Sequence, residues 1–406
     1  MRETSCRSCD ATRLEPVLSL GEMPLVNAFP REGDPSGSEA RYPLDLLMCP
    51  ACSLTQISET VPPEILFQEY AYFSSYSESF LRHVESLVAR VVQERHLTSQ
   101  SLVMEVASND GYLLQYYRAR GIPVLGIEPA ANVANVACHE RGIPTLTEFF
   151  GRELGLRLKE QGHRADVVHA HNVLAHVADL NGFVVGMREL LSDEGVAIVE
   201  VPYVLDMIER CEFDTIYHEH LCYFSVTALH GLLARHGLQL RDVERVPVHG
   251  GSLRLWIGRG DPSPSVEEAM EAERRWGVTE RAPYVRFSQR VATVQRDLRE
   301  LLRGLHAQGA TIAAYGAAAK GVVLLNSIGL EKGIVSFVVD RSPHKQGRSL
   351  PGVRLPILPP QALTERQPDY LLVLAWNLID EIMEQQDEYR RKGGRFVVPI
   401  PEPRVL

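Results

Sequence analysis

Residues 102–114 read Leu-Val-Met-Glu-Val-Ala-Ser-Asn-Asp-Gly-Tyr-Leu-Leu. An apolar run rich in β-formers ends in Ala107, Ser108, Asn109, Asp110 and Gly111, and helical patterning follows, which predicts a strand, a tight polar turn and a helix. The next strand-like run, Val124 to Ile127, ends in Glu128, 17 residues after Gly111. A doubly wound sheet places an acid there to accept from ribose hydroxyls. A dinucleotide turn would carry three glycines so that backbone amides could approach a pyrophosphate. Only Gly111 is present, with Ala107 and Asn109 elsewhere in the turn, so a ligand without phosphates is favoured. S-adenosylmethionine fits: Glu105 or Asp110 could hold its amino group and Glu128 its ribose. The competing reading is a βαβ core with no ligand.

A chain of 406 residues with 45% apolar residues can bury a large core and is expected to form two or three domains. The net charge of −10 and the absence of a Lys/Arg-rich block argue against nucleic acid as a partner. Residues 1–9 lack the apolar core of a signal peptide, and no apolar run reaches the roughly 18 residues of a membrane span. A soluble, cytoplasmic monomer is expected.

Four of the seven cysteines form two Cys-x-x-Cys pairs, Cys6 with Cys9 and Cys49 with Cys52. Four thiolates at this spacing suit a tetrahedral zinc ion with no open position for water, hence a structural site. Two disulfides are the alternative, disfavoured in a reducing compartment.

Between residues 68 and 80, Tyr70, Tyr72 and Tyr76 alternate with Ser74, Ser75 and Ser77, offering flat faces and hydroxyls without charge. This suits a sugar or a base, or an aromatic lid on the cofactor domain. Further strands are expected at 166–170 and 195–201. After the first of them, Asn172 and His176 are candidates to face the methyl donor, whereas His169 and His171 are expected to be solvent-facing or packed. The stretch Tyr217-His-Glu-His-Leu-Cys-Tyr-Phe-Ser225 concentrates groups suited to carbon alkylation. Carbon becomes a nucleophile only when a proton is removed next to a carbonyl, which needs a base and a donor for the enolate. His220 or His218 could be the base, Glu219 could orient it, and Tyr217 could stabilise the oxyanion.

The combination resembles the zinc-containing sugar C-methyltransferases, which act on nucleotide-linked 4-keto-6-deoxy sugars in antibiotic pathways. The resemblance is carried by the cysteine knuckles, the Tyr-Ser segment around Tyr76, Glu105 to Gly111, Tyr217 to His220, His-Gly-Gly-Ser-Leu-Arg at 249–254 and Tyr-Gly-Ala-Ala-Ala-Lys-Gly at 315–321. It implies that His220 is the base, that Tyr217, Glu219 and His176 assist it, and that Tyr76 lies near the substrate. It leaves both carbons beside the C-4 ketone, C-3 and C-5, as acceptors, with C-3 favoured and dTDP as the carrier.

The last third opens a second strand and glycine turn at Thr311 to Gly316, where a nucleotide phosphate could meet Lys320 and the following helix N-terminus. Asp340 and Lys345 close the next strand. The expected α/β architecture is thus a small zinc-binding domain (1–68), a doubly wound, Rossmann-like S-adenosylmethionine domain (69–258) and a C-terminal Rossmann-like domain (259–406). Tyr72, Ser74, Tyr315, Gly316, Lys320, Asp340 and Lys345 are the candidate substrate contacts. An O- or N-methyltransferase and an NAD-dependent sugar-nucleotide oxidoreductase are the alternatives.

Overall fold

The computed structural model describes residues 2–31, 33–35, 37, 39–66, 73–247 and 250–406. Near the N-terminus, β1 (Glu15–Pro24), β2 (Arg41–Met48) and β3 (Thr55–Ile57) form an antiparallel meander. Leu44, Leu46 and Met48 recur at every second position of β2 and are buried, the period of a strand with one face on a core. Each Cys-x-x-Cys pair flanks this meander and is followed by a residue in the left-handed region, Asp10 (φ 60°) or Ser53 (φ 62°). Their amides turn back onto the first cysteine of each pair: Asp10 N–H donates to Cys6 O at 3.0 Å and Ser53 N–H to Cys49 O at 2.8 Å. The four sulfurs consequently lie within 4.8 Å of one another, with Cys6–Cys52 at 3.5 Å and Cys9–Cys49 at 3.7 Å. Zinc held about 2.3 Å from each sulfur would place them about 3.8 Å apart. All four thiols are free of disulfides, so the donor set fits a structural zinc ion.

The run quoted above forms β4 (Val103–Val106), buried at every position. It is the centre of a parallel array with β5 (Val124–Ile127), β6 (Thr145–Leu146), β7 (Ala165–His171) and β8 (Leu191–Pro202). A later short strand, β9 (Cys222–Tyr223), leaves this array and pairs antiparallel with β3. The hairpin of β10 (Gln239–Val246) and β11 (Ser252–Gly258) then completes a seven-stranded sheet, ordered β10-β11-β8-β7-β4-β5-β6. The antiparallel contribution of this hairpin lies outside the parallel pattern expected from sequence. The helix Glu78–Glu94 covers one face, placing Val84, Leu87, Val88 and Val91 in one cluster with Val103, Val167, Val196 and Ile198. Spacings of three and four residues bring those side chains to one side of the helix.

Helices Pro264–Trp276 and Arg281–Ala307 lead to the third sheet. Its strands are β12 (Ile312–Tyr315), β13 (Val338–Val339), β14 (Ile357–Leu358), β15 (Tyr370–Val373), β16 (Arg395–Val398) and β17 (Arg404–Val405). They lie in the order β14-β13-β12-β15-β16-β17, all parallel except the last. The zinc-bearing region also grips this third unit: Ser349 N–H donates to Pro30 O at 2.9 Å and Arg354 pairs with Glu39 at 2.7 Å. Among the described residues no helix is long and apolar enough to cross a membrane.

Because the two knuckles join the segment before β1 to the β2–β3 turn, the metal should act on stability. Purified protein is expected to carry about one equivalent of zinc, and Cys49→Ser should lower the melting temperature before it alters chemistry. Elemental analysis with thermal melts checks this; a metal-free protein of unchanged stability would refute it.

Candidate functional site

The strand order of the central sheet reverses between β4 and β7, so a crevice opens outside their carboxyl ends, where open α/β sheets take ligands. The turn after β4 places Ala107 (φ 55°), Asn109 (φ 49°) and Gly111 (φ 76°) in the left-handed region. These alternate positions are where a Gly-x-Gly-x-Gly turn would place its glycines. Only one of them is glycine here, and L-residues in this region are disfavoured by roughly 1–2 kcal/mol. Surrounding contacts hold the turn: Asn109 N–H donates to Glu128 Oε2 and Ala130 N–H to Glu128 Oε1, each at 2.9 Å. A Cβ on Gly126 would stand 2.5 Å from Ser108 Oγ, so β5 can approach the turn only with glycine there.

Burial pushes the Glu128 carboxyl up to about 7, against the two amide bonds that favour its charge. Glu105 is fully buried, and burial holds its pKa well above the carboxylate range, against a hydrogen bond from the Tyr112 side chain that favours its charge. Tyr112 supplies one donor to a group that can accept several, so a cationic or donating ligand is a natural further complement. Asn172 (φ 54°) stands across the crevice at the end of β7, its N–H donating to Glu200 O at 2.8 Å. Glu105, the 107–111 turn, Glu128 and Asn172 therefore converge on one crevice, and the donor set fits S-adenosylmethionine.

The turn Ser74–Tyr76 closes over this crevice. Ser74 N–H donates to Asn109 Oδ1 at 3.0 Å and Ser75 Oγ to Asp110 Oδ2 at 2.5 Å, so the side chains of Asn109 and Asp110 hold the lid in the free protein. Tyr76 is 61% exposed and stacks on Phe73 at 5.3 Å, and Phe73 stacks on His344 at 5.8 Å. Tyr76 is thus exposed, with Phe73 as its aromatic neighbour. Tyr72 falls outside the described residues.

The Tyr-His-Glu-His stretch is stapled to three elements. His218 packs edge-on against Tyr42 and lies 3.2 Å from Pro43 O; it is turned to the N-terminal sheet and is not available as the base. Glu219 is buried and accepts from Asn27 Nδ2 at 2.7 Å, and burial pushes its pKa up to about 7. It is therefore bonded to Asn27, and the expectation that it orients His220 is corrected: the orienting group is the Thr215 carbonyl, 3.1 Å from His220 Nδ1. A carbonyl only accepts, so Nδ1 carries the proton and the Nε2 lone pair faces the Tyr217 hydroxyl at 2.9 Å. His176 meets the His220 ring edge-on at 4.8 Å, and burial lowers its pKa to about 4, so it is neutral at neutral pH. Sequence reasoning missed Asn27 and Thr215, neither of which lies in a motif.

In the third sheet, Tyr315 is buried in that unit's own core with its hydroxyl 3.3 Å from Gln385 Oε1, which corrects its assignment as a substrate contact. Asp340 accepts from Ala317 N–H at 2.7 Å and from Ser342 N–H at 2.8 Å, and Lys345 donates to Ala317 O at 2.9 Å. These two charges shape the Gly316–Ala317 turn. Lys320 donates to Asn377 Oδ1 at 3.0 Å beside that turn.

A further buried array was not read from sequence. Glu200 accepts from Arg254 Nε at 2.7 Å and lies 3.1 Å from both His83 Nε2 and His171 Nδ1. His171 continues to His169 at 2.9 Å and His169 to the Tyr117 hydroxyl at 2.8 Å. Burial opposes its charge, yet His171, His83 and Arg254 hold Glu200 well below the carboxylate range. The array ties the ends of β7, β8 and β11 to the helix Glu78–Glu94; a charge inside the apolar run 195–201 was its signal.

If Glu128 accepts from two ribose hydroxyls, as expected from the sequence, it must be ionised to do so. Affinity for S-adenosylmethionine should weaken as pH falls below about 7, by up to roughly tenfold per unit, and level off above it. Glu128→Gln should flatten this profile, and Glu128→Ala should weaken binding by about 1 to 3 kcal/mol. Calorimetry from pH 6 to 8 tests both; affinity unchanged in the alanine variant would mean that Glu128 does not face the ribose.

Three family models match the chain in succession: "Putative zinc binding domain" over residues 6–67, "Methyltransferase domain" over 80–243 and "C-methyltransferase C-terminal domain" over 247–401. The C-methyltransferase NovU of Streptomyces niveus is 38% identical over 405 residues, 99% of this chain and 96% of that protein. Among solved structures, magnesium protoporphyrin IX methyltransferase from Synechocystis with bound S-adenosylmethionine aligns with 44% of this chain and 79% of its own, at 14% identity and a TM-score of 0.34. An S-adenosylmethionine-dependent methyltransferase from Clostridium acetobutylicum aligns with 44% of this chain and 92% of its own, at 8% identity and a TM-score of 0.35. With its cysteine cluster, its doubly wound central sheet and a full-length relative, this chain belongs to the zinc-binding, S-adenosylmethionine-dependent C-methyltransferases.

Proposed function

We propose that the acceptor is a nucleotide-linked 4-keto-6-deoxy sugar carried on dTDP, deprotonated and methylated at a carbon beside its C-4 ketone. The observation that supports this most directly is the pairing of His220 with Tyr217: an imidazole whose Nδ1–H is held by a backbone carbonyl and whose Nε2 lone pair meets a phenol. In this reading Nε2 removes the α-proton, and the Tyr217 hydroxyl, released from Nε2 as the proton arrives, donates to the enolate oxygen. His176, neutral and edge-on to His220, and Glu219, with a carboxyl poised near neutral pH, shape the base's surroundings. Asn27 holds Glu219 in place.

Glu105, Asp110, Glu128, Asn172 and the turn of Ala107, Asn109 and Gly111 hold the cofactor. When bound, S-adenosylmethionine supplies an electrophilic methyl group on a cationic sulfonium. Ser74 and Tyr76 contact the sugar once the Ser74–Asn109 bond is exchanged for ligand contacts, with Tyr72 a further candidate from the sequence alone. Lys320 and the Gly316 turn, shaped by Asp340 and Lys345, hold the nucleotide. C-3 is taken as the favoured acceptor, with C-5, the other carbon beside the ketone, as the alternative. The site belongs to a cytoplasmic step of deoxysugar assembly.

His220→Asn should abolish solvent-deuterium exchange at the acceptor carbon together with product formation, lowering kcat about 10²- to 10⁴-fold while leaving KM little changed. Tyr217→Phe should be milder. Normal exchange in the His220 variant, with loss in the Tyr217 variant, would pass the role of base to Tyr217.

A further inference from the structure

The carbonyl that orients His220 belongs to a short turn, Phe213–Thr215, wedged between the central and C-terminal units. Thr215 O faces His220 Nδ1 at 3.1 Å and also accepts from the Tyr223 hydroxyl at 3.3 Å. The residue before it, Asp214, is fully buried. Its Oδ2 accepts from the indole N–H of Trp376 at 2.7 Å, while its Oδ1 has no hydrogen-bond partner. The turn packs against the helix Ala319–Ser327 of the C-terminal unit.

Trp376 comes from the other side of that interface. It stands just beyond β15, and the order of the third sheet reverses between β12 and β15, so it sits at that sheet's ligand crevice. Lys320 lies 4.5 Å from the Trp376 ring centroid and donates to the neighbouring Asn377 at 3.0 Å. A continuous path therefore runs from the crevice of the C-terminal sheet through one indole, one carboxyl group and one backbone carbonyl to the imidazole.

We propose that Asp214 and Trp376 are positioning residues for His220: their hydrogen bond fixes the Phe213–Thr215 turn, and that turn fixes which ring nitrogen carries the proton. The proposal rests on the reading of His220 as the base for its catalytic consequence. The C-terminal unit then both holds substrate and aims the base, since a backbone carbonyl can be aimed only by fixing its peptide. That peptide is held locally by Ile216 N–H on Phe213 O at 3.1 Å and by the Tyr223 hydroxyl on Thr215 O at 3.3 Å, and the Asp214–Trp376 bond adds the tie that sets the turn against the C-terminal unit.

Nitrogen-15 NMR of histidine-labelled full-length protein reads the tautomer without substrate, with the His220 signals identified by their loss in His220→Asn. The wild type should show the Nδ1–H form. Trp376→Phe keeps the ring and removes the donor; it should yield a mixture with the Nε2–H form and slow deuterium exchange into saturating dTDP-4-keto-6-deoxyglucose about tenfold, with S-adenosylmethionine affinity within twofold. Asp214→Asn keeps an oxygen for the indole N–H and should retain the wild-type tautomer. If Trp376→Phe does not fold, Asp214→Ala cuts the same bond from the other side. A folded Trp376→Phe or Asp214→Ala protein with the wild-type tautomer overturns the proposal, as does an Asp214→Asn protein as disturbed as Asp214→Ala. A His220→Asn protein that still exchanges deuterium removes the base reading instead and leaves the tautomer result standing.

Discussion

Two residues of strand, Cys222–Tyr223, hydrogen-bonded to β3 of the zinc-bearing sheet, are the constraint on which the site depends. They draw the chain out of the central sheet just after the Tyr-His-Glu-His stretch. Leu221 N–H donates to Ala175 O at 2.7 Å and Ile57 N–H donates to Leu221 O at 3.0 Å, so one residue bridges the loop after β7 and the N-terminal meander. His218 and Glu219 are fastened to Pro43 and Asn27 of the same N-terminal region. His220 is left pointing the other way, toward Tyr217 and His176. By flanking β2 and β3, the cysteine knuckles also brace the short strand that follows His220.

The cofactor turn shows a related economy. Ala107 and Asn109 adopt backbone angles that glycine adopts freely, and the strain is balanced by the Glu128 carboxyl, which caps the amides of Asn109 and Ala130. Residues in disfavoured backbone regions persist where the surroundings over-determine them, and such places concentrate at ligand sites. Glu105, fully buried beside this turn with its pKa raised by burial, fits the same pattern.

Much of this was legible in the sequence because its signals are local. Two Cys-x-x-Cys pairs, an apolar run ending in a polar turn and an acid at the end of the next strand each state their role within a few residues. What was not legible depends on contacts across long stretches of chain. Asn27 reaches Glu219 over 192 positions, and Trp376 reaches Asp214 over 162. Tyr315 illustrates the converse: next to a glycine turn it reads as a ligand contact, but strand alternation turns it into the core. Tyr76 stacks on Phe73, which stacks in turn on His344, a partnership between segments that no local pattern reveals.

Carbon alkylation beside a ketone is the central claim, and where the methyl group lands tests it most directly. Incubation with S-adenosylmethionine labelled with carbon-13 in its methyl group and dTDP-4-keto-6-deoxyglucose in D₂O, followed by carbon–proton correlation NMR, reads the new bond. The predicted product has the labelled methyl on C-3 or C-5, with the original proton of that carbon gone. A labelled methyl on oxygen or nitrogen, with both α-protons retained, would contradict it.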